Sequence, residues 1–121
     1  MYTPMTETFA HIVAEHELEL FDLFGPTLEF LVAPQPNDEA PCVMKGMIPP
    51  RASVPMHSHA GIETFFVISG EMEILADEGG KLHWLTARSG DFISVPNNAK
   101  HALKNRSAYP AVQLITSNSR L

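Results

Sequence analysis

At 121 residues and 13.3 kDa the chain is the size of one domain. Hydrophobic residues make up 45% and charged residues 18%, which excludes a disordered tail, because that much apolar material can bury a core. No apolar run approaches the ~20 residues a membrane helix needs, and a net charge of −6 argues against a nucleic-acid partner, which demands clustered Lys and Arg.

In chain order, Thr3-Pro4 looks like a helix cap with a first-turn proline, and Phe9, Ile12, Val13 and His16 follow at helical spacing. A short helix over residues 4–16 is predicted. Residues 18–23 fit a strand or an extended arm about as well as a helix. After Gly25-Pro26 the pattern is β throughout. Apolar runs at 28–33, 42–48, 54–58, 62–69, 71–76, 81–86, 91–95, 101–104 and 111–116 are separated by Gly, Pro, Asn and Ser turns. Short strands at this spacing, with no helix long enough for a crossover, predict an all-β sandwich or barrel. The organisation expected is an amino-terminal helix or arm over 1–25 and a barrel domain over 26–121.

Charge is distributed unevenly. Residues 1–44 carry eight acids and no Lys or Arg, whereas residues 45–121 carry a net +2. An acidic solvated face accounts for this, as does an amino-terminal segment lying against a basic edge of a neighbouring subunit. The single cysteine, Cys42, cannot form an internal disulfide, and the amino terminus carries no basic, apolar leader. A cytoplasmic protein is expected, with Cys42 a buried strand residue rather than a nucleophile.

Two clusters carry chemistry. In Pro55-Met56-His57-Ser58-His59-Ala60-Gly61-Ile62-Glu63, strand alternation points His57 and His59 to one face, and Glu63 keeps that parity if no bulge intervenes. Two imidazoles and a carboxylate suit a divalent transition metal. In Gly90 through His101, a turn, a strand and a tight turn lead to a histidine opening the next strand. A sheet closing on itself brings His101 to the first three groups, leaving two positions of an octahedral ion open.

The spacing of these residues resembles that of the cupins, small β-barrels with two signature motifs. The first is matched by His57, His59, Glu63 and Gly70, the second by Gly90, Pro96, His101 and Asn105. Arg51 and Asn98 stand where the motifs have glycine; Asn tolerates a left-handed conformation, while Arg51 implies either an ordinary turn or strain. The resemblance spans about residues 40–116. It implies a single jelly-roll (double-stranded β-helix) barrel, with His57, His59, Glu63 and His101 holding iron, manganese, nickel, zinc or copper. It further implies a small-molecule enzyme, dioxygenase-like in preference to an isomerase or decarboxylase, with metal-dependent sensing as the non-catalytic alternative. A homodimer is also expected. By parity, Phe65 and Gln113 are candidate substrate-pocket residues and Phe66 faces away. His11, His16 and His83 are expected at the surface or in packing, and Trp84, Phe65, Phe66, Phe92, Met72 and Leu103 mostly in the core.

Overall fold

Strand alternation is clearest at residues 42–48, where every second side chain is buried, and this segment lies near the middle of the molecule. In the computed structural model, which describes residues 9–34 and 41–118, ten strands follow a single 3-10 turn, Glu15–Glu17. They are β1 (Leu20–Asp22), β2 (Thr27–Val32), β3 (Cys42–Ile48), β4 (Ser53–His57), β5 (Glu63–Ser69), β6 (Glu71–Glu78), β7 (Lys81–Arg88), β8 (Phe92–Val95), β9 (His101–Lys104) and β10 (Ala111–Ser117). Two antiparallel sheets result, one of order β1-β2-β3-β10-β5-β8 and one of order β4-β9-β6-β7. This is the all-β architecture expected from the turn spacing, in the jelly-roll form that the resemblance implies. No helix among the described residues is long and apolar enough to cross a membrane.

The two faces of β3 and β10 differ because their residues alternate. Cys42, Met44 and Ile48 of β3 point inward, as do Ala111, Gln113, Ile115 and Ser117 of β10, with Cys42 opposite Ser117 and Ile48 opposite Ala111. Phe65 and Val67 of β5, Met72 and Ile74 of β6, Val95 of β8 and Leu103 of β9 complete the core. Each large apolar side chain withdrawn from water in this way contributes about 1.5–3 kcal/mol.

Three tight points shape the loops. Gly70, between β5 and β6, has φ 77°, and a side chain there would run into the Pro110 carbonyl oxygen and Ala111 Cα. Buried Asn105 donates its amide protons to the Ile48 and Tyr109 carbonyls (2.9 and 2.7 Å), and its oxygen accepts from Ser107 N–H and Oγ–H. Its backbone also brackets the preceding turn, since Arg51 N–H donates to the Asn105 carbonyl and Asn105 N–H to the Ala52 carbonyl. Within this turn Arg51 has φ 67°; Asn98, in the turn before β9, has φ 64°. The turn at Arg51 is the strained alternative, not the ordinary one. Phe24, at the β1–β2 connection, shares this conformation (φ 63°) and is fully exposed.

Two expectations are corrected. Residues 9–14 are not helical, and residues 4–8 of the expected helix lie outside the described residues. Phe9 and Ile12 are 67% and 92% exposed, so no apolar face is available to stabilise a helix. Trp84, Phe66 and Phe92 are also exposed, because these side chains lie on the outer faces of their sheets; Phe65, Met72 and Leu103 are buried as expected.

Candidate metal centre

The four candidate ligands reach one place by different routes. β4 ends at His57, His59 lies in the following turn, and Glu63 opens β5 in the opposite sheet, so the three do not share one strand. Alternation along one strand therefore does not bring Glu63 beside the histidines. The chain crosses between sheets over residues 58–62. His101 opens β9 directly opposite His57, and the two ring centroids are 4.3 Å apart. The His59 ring lies 5.8 and 5.4 Å from those of His57 and His101.

Main-chain carbonyls orient all three rings. The Nδ1 atoms of His57, His59 and His101 lie 2.8, 3.3 and 2.9 Å from the carbonyl oxygens of Pro55, Ala60 and Ala99. A carbonyl only accepts, so each Nδ1 donates to it, and each ring turns its Nε2 away from the main chain. One ligand atom from each histidine lies within 4.8 Å of the others. Glu63 adjoins two of them, its Oε1 standing 3.4 Å from both His59 Nε2 and His101 Nε2.

Burial sharpens the picture. His101 is 2% exposed, and its buried Nε2 has no hydrogen-bond partner, although Glu63 Oε1 stands 3.4 Å away. An orphaned buried acceptor is costly unless something coordinates it. The three imidazoles therefore fit a divalent transition metal, with the Glu63 carboxylate beside two of them. Burial favours the neutral His101 ring, but the neighbouring Glu63 carboxylate and the Ala99 carbonyl outweigh it and raise its pKa above the ordinary value. Burial first, and the charge of Glu63 second, push the Cys42 thiol up to about 11, which keeps it protonated and unreactive.

The surrounding loops are tied together. Gly61 N–H donates to Asn97 Oδ1 (2.6 Å), Asn98 N–H to the His59 carbonyl (3.0 Å) and Ile62 N–H to Asn118 Oδ1 (2.7 Å). Asn98 is thus the residue whose left-handed backbone turns its N–H toward the loop that carries His59.

His57 and Glu63 also line a cavity of about 370 Å³ between the sheets. Its walls are apolar, formed by Leu28, Phe30, Met44, Phe65, Leu103 and Ile115 among others. Among the described residues, only Thr27 and Gln113 bring polar side chains to it besides His57 and Glu63. Both pocket candidates, Phe65 and Gln113, therefore face it, and Phe66 points outward. The cavity also reaches Phe21 and Leu23 of the amino-terminal segment, which parity within the barrel gave no means of finding. Phe21 packs edge-on against Phe30 of β2. Among the remaining histidines, His83 is exposed yet stands in the same cross-strand row as His57 and His101, opposite Ala76 of β6.

A family model of the cupin domain matches residues 44–116, a span that contains all four candidate ligands. The chain belongs to the cupin family. Solved structures agree in fold. This cupin superposes on the CENP-C cupin domain of Drosophila melanogaster with TM-score 0.74 and 16% identity, covering 92% of this chain and 83% of that one. It is similar to KdgF from Halomonas sp. (TM-score 0.71, 18% identity, 93% and 96% covered). A third relative in fold is hydroxypropylphosphonic acid epoxidase from S. wedmorenis (TM-score 0.75, 16% identity, 89% and 59% covered). No curated protein matches the chain in sequence. At such identities the likeness is one of architecture, and a shared barrel does not name a reaction.

Proposed function

We propose that this cupin holds a divalent metal on His57, His59, Glu63 and His101 and acts on a small, largely apolar molecule bound beside it, with oxygen-dependent cleavage favoured. The observation that carries this is the buried, unpartnered Nε2 of His101 facing two further imidazoles whose Nδ1 atoms are already engaged. Iron, manganese, nickel, copper and zinc all accept mixed nitrogen and oxygen donors. The bound ion would supply Lewis-acid polarisation and, if redox-active, one-electron chemistry with dioxygen.

The chain's own residues set the conditions for that chemistry. The carbonyls of Pro55, Ala60 and Ala99 fix which ring nitrogen faces inward. Glu63 places one negative charge in a buried setting, offsetting part of a dication's charge. Leu28, Phe30, Phe65 and Ile115 exclude water and select an apolar body. Gln113 offers an amide to orient a polar group; its side-chain N–H donates to the Ala111 carbonyl, which holds the amide in place.

Oxygen-dependent cleavage is favoured over isomerisation or decarboxylation by what the cavity lacks. With His57 and Glu63 committed as ligands, no carboxylate or imidazole remains among the described lining residues to carry a substrate proton. The same scarcity supports a second reading, binding without turnover. The CENP-C cupin domain, one solved structure of which is bound to CAL1, is the relative in fold that accompanies it. Metal analysis followed by oxygen uptake with enolisable diketones and flavonols separates the two. Sustained uptake by the iron(II) form, abolished in His57→Ala, is expected. Tight metal-dependent binding of the same compounds without uptake would favour the second reading, and absence of a bound metal under metal-replete conditions would overturn both.

A further inference from the structure

At the end of the β4-β9-β6-β7 sheet opposite His57 and His101 lies an open groove of about 850 Å³. Four of the chain's eight Lys and Arg line it: Arg51, Arg88, Lys104 and Arg106. Two acids share the lining, and each has a cation of its own. Arg106 Nε donates to the buried Glu73 carboxylate at 2.6 Å, and Arg88 Nε stands 3.5 Å from Glu71. Arg51 and Lys104 pair with no carboxylate among the described residues. A chain of net charge −6 thus leaves two positive charges uncommitted at one place.

The backbone gathers these cations before any ligand arrives. Arg51 N–H donates to the Asn105 carbonyl (2.7 Å), and Lys104 and Arg106 flank Asn105 in the chain. The buried Asn105 side chain is itself fixed by Ile48, Ser107 and Tyr109. Ser53, opposite Lys104 on β4, and Thr86, in the same cross-strand row on β7, add exposed hydroxyls to the lining. Cations held on fixed backbone lose little freedom when a ligand binds. Arg51 has φ 67°, the region that favours glycine, so the chain keeps a guanidinium at the groove at the expense of backbone strain. The Lys104 ammonium rests over the Trp84 ring, 3.7 Å from its centroid. That contact at a partly exposed ring is weaker than a charge-assisted hydrogen bond, so an anion in the groove draws the ammonium to itself.

We propose that this groove binds a small phosphate-bearing compound, whose phosphoryl oxygens accept from the Arg51 guanidinium and the Lys104 ammonium. A phosphoryl dianion matches the two free charges, whereas a single carboxylate neutralises only one. Its tetrahedral oxygens also suit the fork of N–H groups that a guanidinium presents. Arg106 and Arg88, already paired, add a favourable field without having to leave Glu73 and Glu71. The groove has room beside the phosphoryl group for an organic body. This site is separate from the candidate metal centre, and the inference does not depend on a metal.

The chain's single tryptophan reports on the site, because an anion that draws Lys104 from the Trp84 ring changes its emission. Titration of the full chain with inorganic pyrophosphate, followed by Trp84 fluorescence and by calorimetry, should saturate and should weaken as salt is raised. Arg51→Gly, which relieves the backbone strain, and Lys104→Met should each weaken binding at least fivefold by calorimetry. Lys81→Ala, at the start of β7 and outside the groove, should bind as the wild type does. Vesicles containing phosphatidic acid separate a soluble phosphate compound from a lipid headgroup, and the chain should not sediment with them. Absence of a saturable pyrophosphate signal, unchanged binding in either groove variant, an equal loss in Lys81→Ala, or sedimentation with the vesicles would each overturn the proposal.

Discussion

His57 and His101 stand opposite one another across the β4–β9 pair, their rings 4.3 Å apart, each with its Nδ1 against a main-chain carbonyl two residues earlier. The repetition of that local bond on two strands means that both rings are oriented by backbone the barrel already fixes. The geometry of these two candidate ligands is therefore set before any ion binds.

Replacing His59 or His101 with Ala removes one inward nitrogen without touching the apolar core. We expect metal stoichiometry after dialysis against limiting metal to fall at least tenfold, with the β-sheet circular dichroism unchanged. Elemental analysis on the same samples checks both halves.

His83 gives the complementary control. Its row contains His57 and His101, but β6 lies between β9 and β7, so two strand spacings, about 10 Å, separate it from His101. Metal content of His83→Ala should equal that of the wild type; a marked loss would redraw the ligand set.

Gly70→Ala should be among the most destabilising single methyl additions. The residue sits at φ 77°, and the new carbon would collide with backbone at Pro110 and Ala111, which cannot swing aside as a side-chain tip would. A loss of about 3 kcal/mol or more is expected from urea titration.

Cys42 makes stability fall in alkaline solution. Its thiol ionises at about 11 in the folded chain against an ordinary 9.0, burial being the main cause and the Glu63 charge the second. Above pH 9 the unfolded chain releases this proton first, so unfolding is favoured progressively until the folded thiol also ionises near 11. The ceiling is about 2–3 kcal/mol. Urea midpoints of the wild type should drop more between pH 8 and pH 10 than those of Cys42→Ala.

Much of the barrel was legible because its signals are local. The run at 42–48 coincides with β3 and that at 101–104 with β9, and the other strands end within a residue or two of the expected bounds, since turn residues punctuate them. The site was legible as a set of residues but not as a construction. His59 and Glu63 lie in a turn and in the opposite sheet, and alternation along one strand cannot describe a chain that changes sheets. Trp84, Phe66 and Phe92 were expected inside because they are large and apolar, yet composition does not tell a sheet's outer face from its inner one. Helical spacing at Phe9, Ile12 and Val13 failed for a related reason. Periodicity makes a helix only when its stripe is buried, and here Phe9 and Ile12 stand largely in solvent.

Phe24 leaves a practical mark on the molecule. A fully solvent-exposed aromatic, held left-handed between β1 and β2, offers a chymotrypsin-type protease its preferred side chain on an accessible bend. A single nick there separates everything up to β1 from the remaining strands, which keep their own pairings. Limited digestion therefore supplies the trimmed barrel without any genetic truncation.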